Sequence, residues 1–236
     1  MKTMTLLAVL AVAAAQTPSS FEVATIKPSE PSTPIAIRRS GHRVVTTGSS
    51  LQFLISWAYD LHSDLIYSKP GWLDSARYDV VAAAPEDQPA KLQERMQALL
   101  AERFKLAVHR ETRELPLYAL VVAKGGHKLQ LSEAPAVFGQ TPFSMPAPGR
   151  LTGTQVSAAM LAKVLSGQLN KTVQDHAGLS GVFDFKLEWQ PDNMPANGAA
   201  SLFTALQEQL GLRLESRKGP VEVLVIDRIE NAPTAN

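Results

Sequence analysis

The sequence predicts an α+β chain of two tandem, diverged repeats, each with two helices packed on a small sheet in a βαββαβ-like order. Two observations carry this expectation. RVVTTGSSLQFL from Arg43 and RLTGTQVSAAML from Arg150 run ungapped at an offset of 107 positions, with Arg43/Arg150, Thr47/Thr154, Ser50/Ser157, Leu54/Leu161 and Gly71/Gly178 coinciding. The alternation of helical and strand periods also repeats in the same order, which chance identities would not preserve.

The first fifteen residues, MKTMTLLAVLAVAAA, combine one cation at Lys2, an apolar run from Leu6 and small residues at Ala13 and Ala15. They read as a signal peptide, 1–15, too short in its apolar run to span a bilayer as a permanent helix. FEVATIKP follows as a strand with Phe21, Val23 and Ile26 as its apolar alternation, and it joins the first sheet. Leu51, Leu54, Ile55 and Ala58 then recur at helical spacing behind Ser50, an N-cap contributing about 1 kcal/mol. Leu161, Val164, Leu165 and Leu169 follow Ser157 in the same way.

After each helix a glycine-marked turn leads to a strand. In the second copy Phe183, Phe185, Leu187 and Trp189 alternate with Asp184, Lys186 and Glu188, the period of a half-buried strand. Leu92, Met96, Leu99 and Leu100 predict the second helix of the first copy. Leu202, Leu206 and Leu210 predict its counterpart, with Ser201 as N-cap and Gly211 as stop. Two strands close each copy: KLAVHR from Lys105 and PLYALVVA from Pro116, then LRLES and VEVLVID across a Lys218-Gly219-Pro220 turn. The apolar runs around Leu117 and Val221 predict central places in a sheet. The expected domains are an N-terminal repeat at 16–133, a Pro-rich, uncharged linker or loop at 134–149, and a C-terminal repeat at 150–236.

Composition narrows the function. Removal of the leader takes Lys2 and no acid, leaving 22 basic against 22 acidic residues, and such a balance offers no overall field for nucleic acid or an anionic membrane surface. No cysteine is present, which excludes disulfides, a thiolate nucleophile, Cys-ligated metal and lipoprotein acylation. The expectation is a soluble protein that is periplasmic or secreted, with no transmembrane segment after leader removal.

Five blocks carry a family resemblance: FEVATIKPS at Phe21, GWLDSARYDVVAAAP at Gly71, RFKLAVHRETRELPLYALVVAKGG at Arg103, GLSGVFDFKLEWQPD at Gly178 and ALQEQLGLRLESRKGPVEVLVID at Ala205. In this order they resemble the soil-associated exported proteins of acidobacteria, whose shared domain has no assigned function. That resemblance implies export and supplies no catalytic residues. The tail RIENAPTAN departs from the family's usual end. More distantly, LSGQLNKTVQDHAGLSGVFDF with SLFTALQEQLGLRLES is similar to the short N-terminal domain of secretins and TonB-dependent receptors, which implies partner binding or assembly.

Motifs for chemistry are missing. His42, His62, His109, His127 and His176 have no metal-ligand spacing, and Gly125-Gly126 reads as a turn rather than a phosphate loop. No GxSxG elbow or dinucleotide fingerprint occurs, and no cofactor or metal is implied. Asp79 and Asp184, equivalent in YDV and FDF, are candidates for a ligand groove together with His176; the plainer reading places both carboxylates in solvent and His176 in a turn. Arg103, Lys105, His109, Arg110 and Arg113 are interleaved with Glu102, Glu111 and Glu114, which reads as a self-neutralised surface. Trp57, Trp72 and Trp189 fall in the apolar pattern. The expected function is a non-catalytic module that binds a protein or cell-envelope component. The alternative is a hydrolase or small-ligand enzyme with its site in the cleft between repeats, and a third reading is small-molecule sensing in an apolar pocket.

Overall fold

A computed structural model describes residues 20–30, 32–86, 91–133, 142–191 and 198–234. The expected signal peptide lies outside the described residues, as do positions 134–141 of the expected linker. The fold is mixed α+β. Its first half runs β1 (Val23–Pro28), β2 (Ala36–Ser40), β3 (Arg43–Ser50), α1 (Leu51–Tyr59), β4 (Ile66–Tyr67), β5 (Arg77–Ala83) and α2 (Leu92–Phe104). Next come β6 (Ala107–Val122), β7 (Gln130–Leu131), β8 (Phe143–Ala147), β9 (Arg150–Val156), α3 (Ala158–Leu169), β10 (Val173–Asp175), β11 (Phe183–Glu188), α4 (Leu202–Ala205) and β12 (Leu212–Arg228). A π-helical turn, Leu206–Leu210, continues α4.

The chain forms two compact units, residues 1–109 with 225–236, and residues 110–224. These limits differ from the expected 16–133 and 150–236, because the boundaries fall inside the long strands β6 and β12 rather than in the Pro-rich stretch. That stretch is also not all linker: Phe143–Ala147 is β8, paired antiparallel with β9.

In the first unit the sheet order is β1-β5-β3-β2, with every pair antiparallel. Ser50 caps α1 by accepting from the Phe53 N–H at 3.1 Å, and Leu51, Leu54, Ile55 and Ala58 are all buried as their spacing predicts. Gln93 and Gln97 of α2 donate to the carbonyls of Trp57 (3.1 Å) and Ala58 (2.8 Å) in the last turn of α1, tying the two helices together. Phe104 closes the core edge-on to Tyr78, with ring centroids 5.0 Å apart. On β1 Ile26 is buried in this core, on the face it shares with Ala24; Val23 is 61 % exposed, because pairing with β5 turns it to the opposite side of the sheet.

The second unit repeats the order as β7-β11-β9-β8, again antiparallel. Ser157 and Ser201 cap α3 and α4, accepting from Met160 N–H (3.2 Å) and Thr204 N–H (3.3 Å). Phe183, Phe185, Leu187 and Trp189 pack with Leu161, Leu165, Leu202, Leu206 and Leu210 in one core. Gly153 is required there: a Cβ would sit 2.5 Å from the Phe185 ring. Gly211 ends the helical turn at φ +66°, where a Cβ would lie 2.2 Å from the Gly126 carbonyl oxygen.

The expectation of one small sheet per half is corrected by a third sheet, ordered β10-β6-β12-β4, with β10 parallel to β6. Its two central strands are each continuous where two shorter strands are predicted. Gly219 and Pro220 do not turn the chain: Gly219 stays in the strand with Leu117 packed 3.3 Å from where its Cβ would be, and the Pro220 carbonyl accepts from Gln174 Nε2 at 2.9 Å. The central position expected for Leu117 and Val221 holds, and both are buried.

Candidate functional site

Both candidate aspartates brace a backbone bulge. Between Thr46 and Ser49, β3 holds one residue more than β5; between Gly153 and Val156, β9 does the same against β11. The extra turn of chain is made by a residue with positive φ, Gly48 at 58° and Gln155 at 57°. Asp79 accepts from the Gly48 N–H at 2.8 Å, and Asp184 accepts from the Gln155 N–H at 2.8 Å. The second oxygen of Asp184 also accepts from Ser132 Oγ at 3.1 Å. The reading of these carboxylates as solvated is therefore corrected: each is half-buried and holds an amide that the bulge removes from the ladder.

His176 is exposed at the end of β10. Its backbone N–H donates to the Leu120 carbonyl (2.9 Å), its ring nitrogen lies 3.4 Å from Gln174 Oε1, and its neighbour Asp175 accepts from the Ala177 N–H (2.9 Å). His176 thus sits in a turn, while Asp184 lines a separate shallow groove of about 430 Å³ with Thr152, Lys186 and Gln209. Among the described residues no group of three or more His, Asp or Glu side chains is placed to hold a metal ion. No helix among them is long and apolar enough to cross a membrane.

The basic residues of β6 are matched by acids. His109 Nδ1 meets Asp227 at 2.9 Å, Arg113 meets Glu111 at 2.8 Å, and Arg110 pairs with Glu222. On β12 the hydrogen bond from Arg217, helped by the charge of Arg213, holds the Glu215 carboxyl below the usual carboxylate range. These exposed pairs neutralise the surface and contribute little to stability.

A groove of about 650 Å³ lies in the second unit, between the β8–β9 turn, the end of α3 and the start of α4. Met145, Pro148, Leu169, Trp189 and Phe203 supply its apolar wall. Phe203 is 41 % exposed and stands edge-on to Tyr118 at 5.5 Å. Gly149, with φ +76°, lets the turn close against β11, since a Cβ would lie 2.3 Å from the Trp189 carbonyl oxygen. Among the described residues, Gln168, Gln190 and Ser201 are the polar side chains of the lining, and none there is Asp, Glu, His, Lys or Arg. Ser201 is occupied as the cap of α4. The groove can bury apolar surface and present side-chain amides to it.

Residues 52–229 match a family described as a protein of unknown function, DUF3738. The chain belongs to the DUF3738 family. No curated protein and no solved structure matches it. The DUF3738 match takes in both candidate aspartates, His176, Trp189 and Phe203, and begins beyond β3. In this DUF3738 chain the groove went unseen in the sequence because Pro146 and Pro148 mark a loop by composition. The one local signal is Phe203, an aromatic off the Leu202, Leu206 and Leu210 stripe.

Proposed function

We propose that the protein is an exported, non-catalytic interaction module of the cell envelope, periplasmic or secreted, that holds an extended apolar segment of a partner protein in the Trp189–Phe203 groove. The observation that carries this reading is the lining, an aromatic and proline-rich wall whose polar side chains, among the described residues, are two amides and a serine. The outermost position of β8 in its sheet supports it too, since an end strand can accept another. Export is supported by the leader-like residues 1–15 and by the resemblance to exported soil-bacterial proteins.

We further read the halves as descendants of one duplicated unit. The shared sheet order, the capping serines Ser50 and Ser157, and the paired bulges held by Asp79 and Asp184 support that ancestry. The likeness of the second half to the secretin and TonB short N-terminal domain fits a partner-binding role. Panning a random peptide library on the full chain tests the groove. Extended apolar peptides should be enriched, and Phe203→Ser should weaken them tenfold or more while the protein stays folded. A library without enrichment, or peptides indifferent to Phe203→Ser, would remove the basis of the reading.

A further inference from the structure

We propose that the outer face of the first sheet and the adjoining β2–β3 hairpin form a docking surface for an anionic phospholipid bilayer. Strand register defines the face. Ala24, Ala82 and Val44 form one row across the sheet, and Ile26, Val80 and Thr46 another; both rows lead into the core. The alternating rows therefore point outward. One holds Val23, Ala83 and Arg43, and the other Thr25, Val81, Val45 and Arg38. Val23 is 61 % and Val81 40 % exposed, and Arg38 and Arg43 are exposed beside them.

Arg39 lies opposite Val44 and therefore projects from the other face, so Arg38 and Arg43 are the arginines of the outward one. Arg38, Arg39 and Arg43 have no acidic partner among the described residues. The acids nearby are few. Asp79 lies across from Lys27 on the same face but holds the Gly48 N–H, Glu22 immediately precedes β1, and Glu86 lies two residues past Ala84, whose N–H donates to the His42 carbonyl.

The near-neutral total charge does not oppose this surface. Fields are screened within about 8 Å at physiological salt, so a local group of unpaired cations acts independently of compensating charges farther away. A flat pleated face that mixes exposed valines with arginines gains from apolar burial and charge at once, as a headgroup layer allows. Nucleic acid is disfavoured because neither outward row holds an aromatic for base stacking. The surface belongs to the first unit and does not depend on the Trp189–Phe203 groove of the second.

Flotation of the full-length chain with vesicles of phosphatidylcholine, with and without phosphatidylglycerol, tests the proposal. Phosphatidylglycerol should tighten binding by roughly twenty-fivefold at low salt, about fivefold for each of the two arginines. Raised salt and the double variant Arg38→Gln/Arg43→Gln should each return binding to the phosphatidylcholine level, and Val81→Ser should weaken what remains. Circular dichroism and thermal melts establish that the variants are folded. Equal binding to both vesicles, no binding to either, or an undiminished double variant overturns the proposal. So does soluble polyglutamate that binds as tightly as the vesicles, which would assign the surface to an acidic protein.

Discussion

The side-chain amide of Gln209 stands in for a missing strand beside Glu188. Its Oε1 accepts from the Glu188 N–H at 2.9 Å and its Nε2 donates to the Glu188 carbonyl at 2.7 Å. On the edge away from β9, β7 pairs with β11 at Phe183 and Asp184, and among the described residues no strand borders the Glu188 end there. The amide satisfies both backbone groups and ties the π-helical turn to the sheet.

Gln209→Ala should therefore lower stability by about 1–2 kcal/mol, two hydrogen bonds partly replaced by water. In a chain of this size the melting temperature falls by roughly 2–4 °C per kcal/mol. Gln209→Glu keeps the acceptor but loses the donor and should not restore stability. Thermal melts of the three proteins decide it, and an unchanged Gln209→Ala would show that the double bond contributes nothing.

The two bulges predict opposite responses to exchange of their residues. Gly48 has φ +58°, and a Cβ would approach the Thr33 carbonyl oxygen to 2.5 Å, so Gly48→Gln should destabilise by about 2 kcal/mol or more. Gln155 holds φ +57° with a side chain, and Gln155→Gly should raise stability by about 0.5–1 kcal/mol as the left-handed strain is relieved. Urea midpoints that move in the same direction for both would refute the assignment.

Asp79→Ala and Asp184→Ala should each lower stability by about 1.5–3 kcal/mol, the range for a hydrogen bond to a charged group. Asp184 should be the more sensitive because it also takes the Ser132 hydroxyl. Asp79→Asn keeps an acceptor of the same shape and should lose about half as much. Losses of only a few tenths, measured by denaturant unfolding, would return these side chains to the solvated role and reopen a ligand-binding one.

Tyr78 predicts an alkaline limit to the fold. Burial raises its phenol above the ordinary value of 10.0, and its hydroxyl donates to the Asn231 carbonyl at 2.8 Å. Above pH 10 the unfolded chain releases this proton while the folded chain retains it, so the stability present below that pH declines as the pH climbs towards the folded value. Tyr78→Phe should lower stability by about 1 kcal/mol at neutral pH and flatten its fall above pH 10. An identical alkaline slope in the variant would exclude Tyr78 as the source.

Local signals in the sequence placed the helices and strands well, and pairing partners poorly. Ser50, Ser157 and Ser201 cap the helices they precede, and the period-two run from Phe183 to Trp189 is buried as read. These outcomes depend on neighbours a few residues away. Lys218-Gly219-Pro220 misled because turn chemistry is only a local preference, overridden where Leu117 of a distant strand packs against Gly219. Asp79 and Asp184 were found as an equivalent pair, but their task depends on Gly48 and Gln155, each about thirty positions away on another strand. The Trp189–Phe203 groove joins a turn, a helix end and a helix start, and no linear pattern records that meeting.

The composition of the first unit sets an order of assembly during synthesis. Its early residues receive their last backbone bonds from the end of the chain: Glu230 N–H to Phe104, Thr234 N–H to Arg103, both at 2.8 Å, and the Asn231 carbonyl under Tyr78. The second unit is an uninterrupted stretch, 110–224, and has all its residues sooner even though translation of it starts later. The earlier-made part of the first unit must therefore wait, unsealed, for residues made after the whole second unit. A stop codon after Asp227 would leave the family-matched region almost whole and still unfasten the half made first.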